Sequence, residues 1–260
     1  MNARSWALSA LGAAVFIAGC RAGFRVNRFP TNESLYTAAV QEFQRKRWGN
    51  AITAFEKLTN DLPARDTLLP RAFWYLAQAH GHQREHLLAA QSYTRLFESF
   101  PDDTLADDAA MQAARSYQRL WRRPSLDPTY GETALATYNS LIGLYPQSPF
   151  ADTARAEILD LEQRFATKNY ETGMFYLRRK AYDSAIIYFR TVMERWPHVP
   201  RSRDALLRLA QAFDAIRYRE DFDEACAQLR RGYPGDPEVA RTCATARTIA
   251  DSAAARPVQP

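Results

Sequence analysis

The stretch AITAFEKLTNDLP occupies residues 51–63, and its layout returns at residues 89–101, 134–146 and 185–197. Each copy has alanine first, an aromatic residue fifth, an aliphatic residue eighth, an apolar residue twelfth and proline last. Steps of four, three and four place the apolar positions on one helix face, and the proline then ends the helix. Matching stripes at nearly fixed spacing predict stacked helical units, which form a binding surface rather than a catalytic pocket.

A small residue precedes the stripe by twelve positions in three copies, at Ala39, Ala77 and Gly173. Two helices joined by a tight turn approach closely only where facing side chains are small, so each unit is predicted to be a helix pair. A fifth, less regular pair is centred on Ala210 and Ala225. The pattern resembles the tetratricopeptide repeat and predicts an all-α superhelix of five helix-turn-helix repeats, without strands.

Two interruptions of the period predict how the repeats are grouped into two lobes. Residues 121–128 add eight residues to the third repeat and are predicted to form an enlarged loop between its helices. Before the fourth repeat an apolar face continues into the repeat itself, which predicts one helix from about Ala151 to Arg179. This helix would join repeats one to three, within residues 33–146, to repeats four and five, within residues 147–250.

The carboxy-terminal part is predicted to end in one more helix. Asp236 and Pro237 provide a cap and a first-turn proline for this helix, which is predicted to end near Ile249. Residues 251–260 are predicted to be a disordered tail.

Two cysteines flank the turn before this last helix. Cys226 precedes the turn at Pro234 by eight residues and Cys243 follows it by nine, so antiparallel packing would bring the two cysteines level. In an oxidising compartment this arrangement favours a disulfide, and the alternative is two buried thiols.

The amino terminus predicts the compartment. Residues 1–19 carry one positive charge and an uncharged apolar run, which is typical of a signal peptide and short for a membrane span. Ile-Ala-Gly-Cys at residues 17–20 resembles the lipobox of bacterial lipoproteins. The resemblance implies cleavage before Cys20 and addition there of a diacylglycerol and an N-acyl chain such as palmitate. A secretory signal that merely contains a cysteine is the alternative.

The residues after the cysteine refine this prediction. Arg21 replaces the aspartate that is typical of inner-membrane lipoproteins, which implies the periplasmic face of the outer membrane. Residues 20–32 show no helical stripe and are predicted to be a flexible tether between the lipid and the fold.

The formal net charge of +5 comes from an excess of arginine that is concentrated around the fourth repeat. Arg190, Arg195 and Arg203 are therefore candidates for a docking face that meets an acidic protein domain. The alternative is a solvated helix surface with partly buried arginine stems. Nucleic acid is not an expected partner in the periplasm.

No catalytic motif occurs in the chain, and we expect neither enzymatic activity nor a small-molecule substrate. His80, His82 and His86 lie close together, but no acid or cysteine follows with ligand spacing, so no metal site is predicted. The covalent lipid on Cys20 is the only non-protein group that we expect.

The lipobox, the short tether, the enlarged third-repeat loop and the long fourth-repeat helix together resemble the BamD (ComL) family of outer-membrane assembly lipoproteins. The motifs that carry this resemblance include Leu35-Tyr36, Asp127-Pro128 and Tyr145-Pro146. The resemblance implies a scaffold of the β-barrel assembly machinery that docks on the POTRA domains of BamA. It also implies a membrane anchor and a role in delivering unfolded outer-membrane β-barrel proteins.

In that family the amino-terminal repeats are thought to receive the extended carboxy-terminal signal of the substrate. By position, Phe73, Tyr75 and Tyr93 are candidates for this groove, and core packing is the alternative for each of them. A competing interpretation is a tetratricopeptide lipoprotein that organises other envelope proteins, such as a Tol–Pal, protease or peptidoglycan-hydrolase adaptor.

Overall fold

The computed structural model describes residues 24–244, so the predicted signal peptide, Cys20 and the tail 251–260 lie outside the described residues. Residues 24–244 contain the ten α-helices given below, a further helical segment at residues 237–244 and no strand, which confirms the predicted all-α fold. None of these helices combines the length and the apolar character needed to cross a bilayer. The helices are α1 Asn32–Gln44, α2 Trp48–Asp61, α3 Leu69–His82, α4 His86–Ser99, α5 Ala106–Leu120, α6 Thr129–Leu144, α7 Ala151–Arg178, α8 Tyr182–Arg195, α9 Pro200–Ala215 and α10 Arg219–Gly232.

The helices form five successive pairs, and each α-helix packs against the next one along the chain. Four of the five pairs are joined by only three residues, so the two helices of each pair run antiparallel. The odd-numbered helix is the first of each pair, and the even-numbered helix is the second. Within each lobe, the turns within pairs therefore lie along one edge, and the turns between pairs lie along the other.

The repeated stripes form the core, as their helical spacing predicts. In α2, Ala51, Phe55 and Leu58 are fully buried, and the helix ends just before Leu62-Pro63. The corresponding residues of α8, Ala185, Phe189 and Val192, are equally buried. Burial of such side chains stabilises each repeat by roughly 1.5–3 kcal/mol per large apolar residue.

The small residues predicted at the helix crossing points are buried or closely packed. Gly173 of α7 faces the ring of Phe189 so closely that an added Cβ would lie 2.7 Å from Phe189 Cε1. Ala39 and Ala77 are completely buried at the same place in the first two repeats. The predicted crossing point is thus confirmed at Gly173, and it stays a prediction at Ala39 and Ala77.

Hydrogen bonds between side chains brace the turns of the first two repeats. Glu42 is buried and accepts hydrogen bonds from Asn50, Arg47 and Arg45 at 2.5, 3.1 and 3.3 Å. Burial alone would raise the pKa of Glu42, but the hydrogen bonds and the two arginine charges lower it. At the equivalent place in repeat two, His80 Nδ1 lies 2.7 Å from a carboxylate oxygen of Glu85.

The long helix is confirmed, since α7 spans 28 residues and ends one residue before the predicted limit. At 1.5 Å per residue it is about 42 Å long. Its middle is fixed by Trp121, which is 1% exposed although it opens the predicted surface loop. The indole stacks on Phe165 at 4.5 Å between ring centroids, and the Arg164 guanidinium lies 4.6 Å from the ring.

Contacts continue from this tryptophan into the second lobe. Phe165 stacks in turn on Trp196 at 6.0 Å, just after α8. Arg164 also donates a hydrogen bond to the Trp121 carbonyl oxygen. The first residue of the enlarged loop is therefore core, and only the remainder, residues 122–128, matches the prediction of a surface loop.

The predicted tether extends too far into the fold. Val26–Arg28 form a short 3-10 helix that packs on α2, and Phe24 and Phe29 lie 5.6 Å apart between ring centroids. These two rings and Val26 are half-buried against the core, because burial of their apolar surface lowers the free energy of the folded chain. The prediction of a flexible tether is therefore wrong for residues 24–32.

Helical residues 237–244 follow α10 and begin at the predicted cap. Asp236 accepts a hydrogen bond from the Glu238 amide at 2.8 Å, as an N-cap residue does. A disulfide joins Cys226 of α10 to Cys243, with their Cα atoms 5.6 Å apart. Both cysteines are almost fully buried.

The contact between Gly131 of α6 and Trp121 provides a test of the packing around the long helix. A Cβ on Gly131 would lie 2.2 Å from the indole ring, so Gly131→Ala should destabilise the fold by about 1–3 kcal/mol. Gly143→Ala on the same helix is the control, since its Cβ meets nothing within 4 Å. This change should be neutral or stabilising by up to about 1 kcal/mol in urea unfolding. Equal effects of the two substitutions would contradict this packing.

Loss of the disulfide should loosen the last helix. Replacing Cys226 and Cys243 together by alanine should lower stability by about 3 kcal/mol, since the loop closed by the disulfide spans 17 residues. Thermal unfolding and amide exchange of residues 237–244 would measure the loss. A reductant should weaken the native chain in the same way and leave the double variant unchanged. Native exchange protection that survives reduction would contradict the prediction.

Candidate protein-interaction site

A patch of aromatic side chains lies across the first two repeats. Tyr36 and Phe43 of α1, Trp48 of α2 and Tyr75 of α3 are half-buried, so each keeps part of its ring in solvent. Seven residues separate the two rings of α1, which places them on one helix face. We call these four residues the aromatic patch.

Tyr75 is the centre of this patch. Its ring stacks on the buried Phe55 at 5.4 Å and meets Phe43 edge-on at 5.1 Å. The ring of Tyr36 meets it at 6.5 Å, also edge-on. Burial raises the pKa of Tyr36, with a further contribution from Tyr75, so its phenol stays neutral and can donate a hydrogen bond.

Trp48 extends the patch toward the turn of the first repeat. Its ring lies edge-on to Phe43 at 5.0 Å and stacks on the exposed His82 at 4.0 Å. Phe43 also meets His82 at 6.0 Å. The patch therefore offers ring faces held at fixed positions by their neighbours, with phenol groups at one end and an imidazole at the other.

The structure separates the three residues predicted for a substrate groove. Tyr75 lies in the aromatic patch, but Phe73 and Tyr93 are only 9% and 7% exposed and belong to the core. Tyr93 packs edge-on against Trp74 at 5.3 Å, and burial raises the pKa of its phenol. Phe73 and Tyr93 are thus corrected to core residues, because their helix faces point into the contact between neighbouring helices.

The three arginines predicted to dock a partner have different environments. Arg203 hydrogen-bonds Asp236 through Nε at 2.9 Å, and it also pairs with Asp204 and Glu238. The ion pairs with Asp236 and Glu238 hold the helical segment 237–244 to α9. Arg203 is therefore corrected from a docking residue to an internal clamp. The ion pairs with Asp236, Asp204 and Glu238 neutralise its charge.

The other two arginines are more exposed. Arg190 pairs with Asp221 of α10 at 2.9 Å, with about half of its side chain in solvent. Arg195 is exposed and lies over the Trp196 ring at 4.9 Å. Within residues 24–244 no carboxylate pairs with Arg195, so of the three it has the charge most available to a partner.

Residues 24–244 contain no group of three or more histidine, cysteine or acidic residues placed to hold a metal ion. His80 is held by Glu85, and His82 is stacked on Trp48. A cleft of about 220 Å³ beside Phe73 is lined by side chains of α2, α3 and α4.

Three patch residues and the histidine beside them were missed as site candidates. In the sequence, Tyr36 belongs only to a family motif, His82 is considered only as a metal ligand, and Phe43 and Trp48 are not among the predicted site residues. The signal was the one-face spacing of Tyr36 and Phe43, combined with Tyr75 on the neighbouring first helix. Sequence order alone does not show which faces of two separate helices meet.

Sequence comparison with known proteins shows the family of this chain. The family model described as "Outer membrane lipoprotein" (YfiO) matches residues 30–229, which include all ten α-helices up to Leu229. The outer membrane protein assembly factor BamD of Caulobacter vibrioides is 26% identical over 204 residues, which cover 78% of this chain and 67% of that protein. BamD of Haemophilus influenzae is 22% identical, over 80% of this chain and 83% of its own length.

Solved structures of repeat proteins also resemble this chain. A repeat protein from Bacteroides fragilis is 11% identical with a TM-score of 0.48, over 84% of this chain and 99% of that one. The tetratricopeptide domain of P58(IPK) is 15% identical with a TM-score of 0.44, over 85% and 56%. The family is shown by the match over most of the sequence. This chain belongs to the YfiO family of outer membrane lipoproteins.

Proposed function

We propose that this protein is a scaffold of the outer-membrane β-barrel assembly machinery, which docks on BamA POTRA domains and helps to deliver unfolded barrel proteins. Its relatives from Caulobacter and Haemophilus bear the name of an assembly factor. The single observation that carries the proposal is the aromatic patch on the first two repeats. This patch is a preformed surface suited to the side chains of an extended segment.

The chemistry of the patch suits an unfolded substrate. Ring faces bind apolar or aromatic side chains without demanding one sequence, since every ring offers the same kind of contact. Phenol groups such as that of Tyr36 add hydrogen bonds to an extended backbone. Because neighbouring rings hold Tyr75 in place, binding costs little side-chain entropy.

Membrane attachment is the second part of the proposal. Acyl chains on Cys20 would hold the protein at the periplasmic face of the outer membrane. Phe24, Val26 and Phe29 pack on the first repeat, so the free tether would be limited to a few residues. The amino-terminal repeats, which carry the aromatic patch, would then stay close to the membrane that receives the barrels.

The role is that of an adaptor rather than an enzyme. The described side chains offer binding surfaces, and the proposal needs no bond to be made or broken. Docking on a partner such as BamA would use exposed charges of the second lobe, of which Arg195 is the best placed. Arg203 is excluded from this role because it is engaged within the fold.

The patch can be tested with a peptide that carries the carboxy-terminal signal of a barrel protein. Tyr75→Ala should weaken peptide binding about tenfold or more, because it removes the central ring of the patch. Contacts with Phe55 and Phe43 hold this ring in position in the native protein. Tyr75→Phe should keep most of the affinity, and Tyr218→Ala, an exposed aromatic residue of the last repeat, should keep all of it. Fluorescence anisotropy measures binding, and circular dichroism checks the fold. Unchanged affinity of a folded Tyr75→Ala variant would refute this use of the patch.

The assembly role can be tested in cells of the source bacterium. Crosslinking and affinity purification of the native lipoprotein should recover BamA, and depletion should lower many outer-membrane barrel proteins at once. Recovery of Tol components, proteases or peptidoglycan hydrolases, with normal barrel levels, would instead favour the competing envelope-adaptor role. Quantitative mass spectrometry of the outer membrane distinguishes the two outcomes.

A further inference from the structure

Unpaired positive charges lie beside the Trp48 end of the aromatic patch. Lys46 precedes Trp48 by two residues, and Arg84 follows His82 by two residues. Since Trp48 stacks on His82 at 4.0 Å between ring centroids, both cations adjoin this stacked pair. Both cationic side chains are exposed, and within residues 24–244 neither of them pairs with a carboxylate. The aromatic patch therefore ends in positive charge that the fold leaves available.

Two acids lie close to these cations in the chain, and neither of them cancels the charge. Glu42 is buried and accepts hydrogen bonds from Arg47 and Arg45, so two guanidinium groups already face this one carboxylate. The carboxylate of Glu85 is engaged as well, at 2.7 Å from His80 Nδ1. The turns of the first two repeats thus carry a net positive charge.

Two arginines of the third repeat reinforce this charge. Burial lowers the pKa of His86, the first residue of α4, and three nearby guanidinium charges lower it further. They belong to Arg119, Arg122 and Arg84. Both arginines of the third repeat are exposed, and neither pairs with a carboxylate in the described part of the chain. The positive field at this end of the patch therefore comes from several side chains.

The backbone conformation of the two turns adds an independent observation. Lys46 and Arg84 have φ values of 58° and 64°, in the left-handed region that glycine adopts most easily. A long cation therefore occupies each position although glycine would be conformationally more favourable. Replacing either cation by glycine should relieve the backbone, so the charge can be removed without loss of the fold.

Ring positions in the patch suit an extended segment that ends at these cations. The ring centroids of Tyr75 and Phe43 are 5.1 Å apart, and those of Phe43 and Trp48 are 5.0 Å apart, so Tyr75 and Trp48 are separated by at most about 10 Å. In an extended chain, side chains two residues apart lie on one face at a spacing of about 6.6–6.8 Å. Two such side chains can contact the patch while the end of the chain reaches the turn.

From these observations we infer that Lys46 and Arg84 bind the terminal carboxylate of the segment that lies on the aromatic patch. The last side chain of the segment then contacts Trp48, and the side chain two residues earlier contacts Tyr75. A terminal carboxylate is a single charge at a fixed place in the chain, so its binding sets the direction and register of the segment. The inference rests on the proposed function and deepens it, since it states how the end of the carboxy-terminal signal is recognised.

The opposite end of the patch is the less favoured place for the carboxylate. Burial raises the pKa of Tyr36 there, and the charge of the exposed Arg71 opposes this rise. Arg71 is a single cation beside a phenol. The Trp48 end has two unpaired cations with two further arginines near them, so a carboxylate gains more Coulomb energy at that end.

A peptide acid and its carboxamide separate carboxylate binding from ring contacts. The probe is an eight-residue peptide without acidic side chains, labelled at its amino terminus, with aromatic residues at the last position and two residues earlier. The native lipoprotein in detergent should bind the acid about three- to tenfold more tightly than the amide, and salt should reduce this preference. Replacing Lys46 and Arg84 together by glycine should bring the preference below about twofold, with an unchanged or higher melting temperature.

The second lobe provides a matched control. Lys180 and Arg217 are exposed turn residues with φ values of 59° and 64°. Replacing both by glycine removes the same charge from the same backbone conformation and should keep the preference for the acid. Equal losses from the two glycine pairs would show a general charge effect and overturn the inference. Arg71→Gln should also keep the preference, and its loss in this variant alone would place the carboxylate at the opposite end and overturn the inference as well.

Failure of this inference is distinct from failure of the proposed function. Equal binding of acid and amide by the native protein, with both weakened by Tyr75→Ala, would show that the patch binds segments without recognising their ends. That result overturns the inference and leaves the proposed function intact. Absence of binding for both forms would contradict the inference and the proposed use of the patch together.

Discussion

Close approach of the two helices in each repeat is the constraint on which the rest of the structure depends. A ring can press against a helix backbone only where the facing residue has little or no side chain, as Phe189 does at Gly173 and Trp121 does at Gly131. The short turns make the two helices of a pair antiparallel, and these contacts set how closely the helices pack. The aromatic patch is a consequence of this geometry.

Stacking also decides which aromatic residues are free to bind. A ring that faces the neighbouring helix, such as Tyr93, is buried in the core. Tyr75 faces outward and keeps part of its surface in water. The outward rings support one another edge-on and face-on, so the aromatic patch is rigid without being closed. A rigid open surface suits a partner that arrives unfolded, because ordering cost then falls mainly on the partner.

Arginine has two distinct physical roles in this protein. Arg203 is a clamp, in which several carboxylates satisfy one guanidinium and tie the last helix to the solenoid. Arg84 and Arg217 have no such partners among the described residues and occupy turn positions with positive φ. Ion pairing inside the fold thus removes some of the positive charge from the surface.

Local pattern alone determined the five helix pairs, the crossing residues such as Gly173 and the extent of the long helix. Each of these depends on residues within one or two helical turns, where periodicity and proline act directly. Only the tertiary structure decided that Trp121 is core, that Phe73 is covered while Tyr75 is not, and that Arg203 is neutralised. Those outcomes depend on contacts between residues far apart in the chain, which no local spacing encodes.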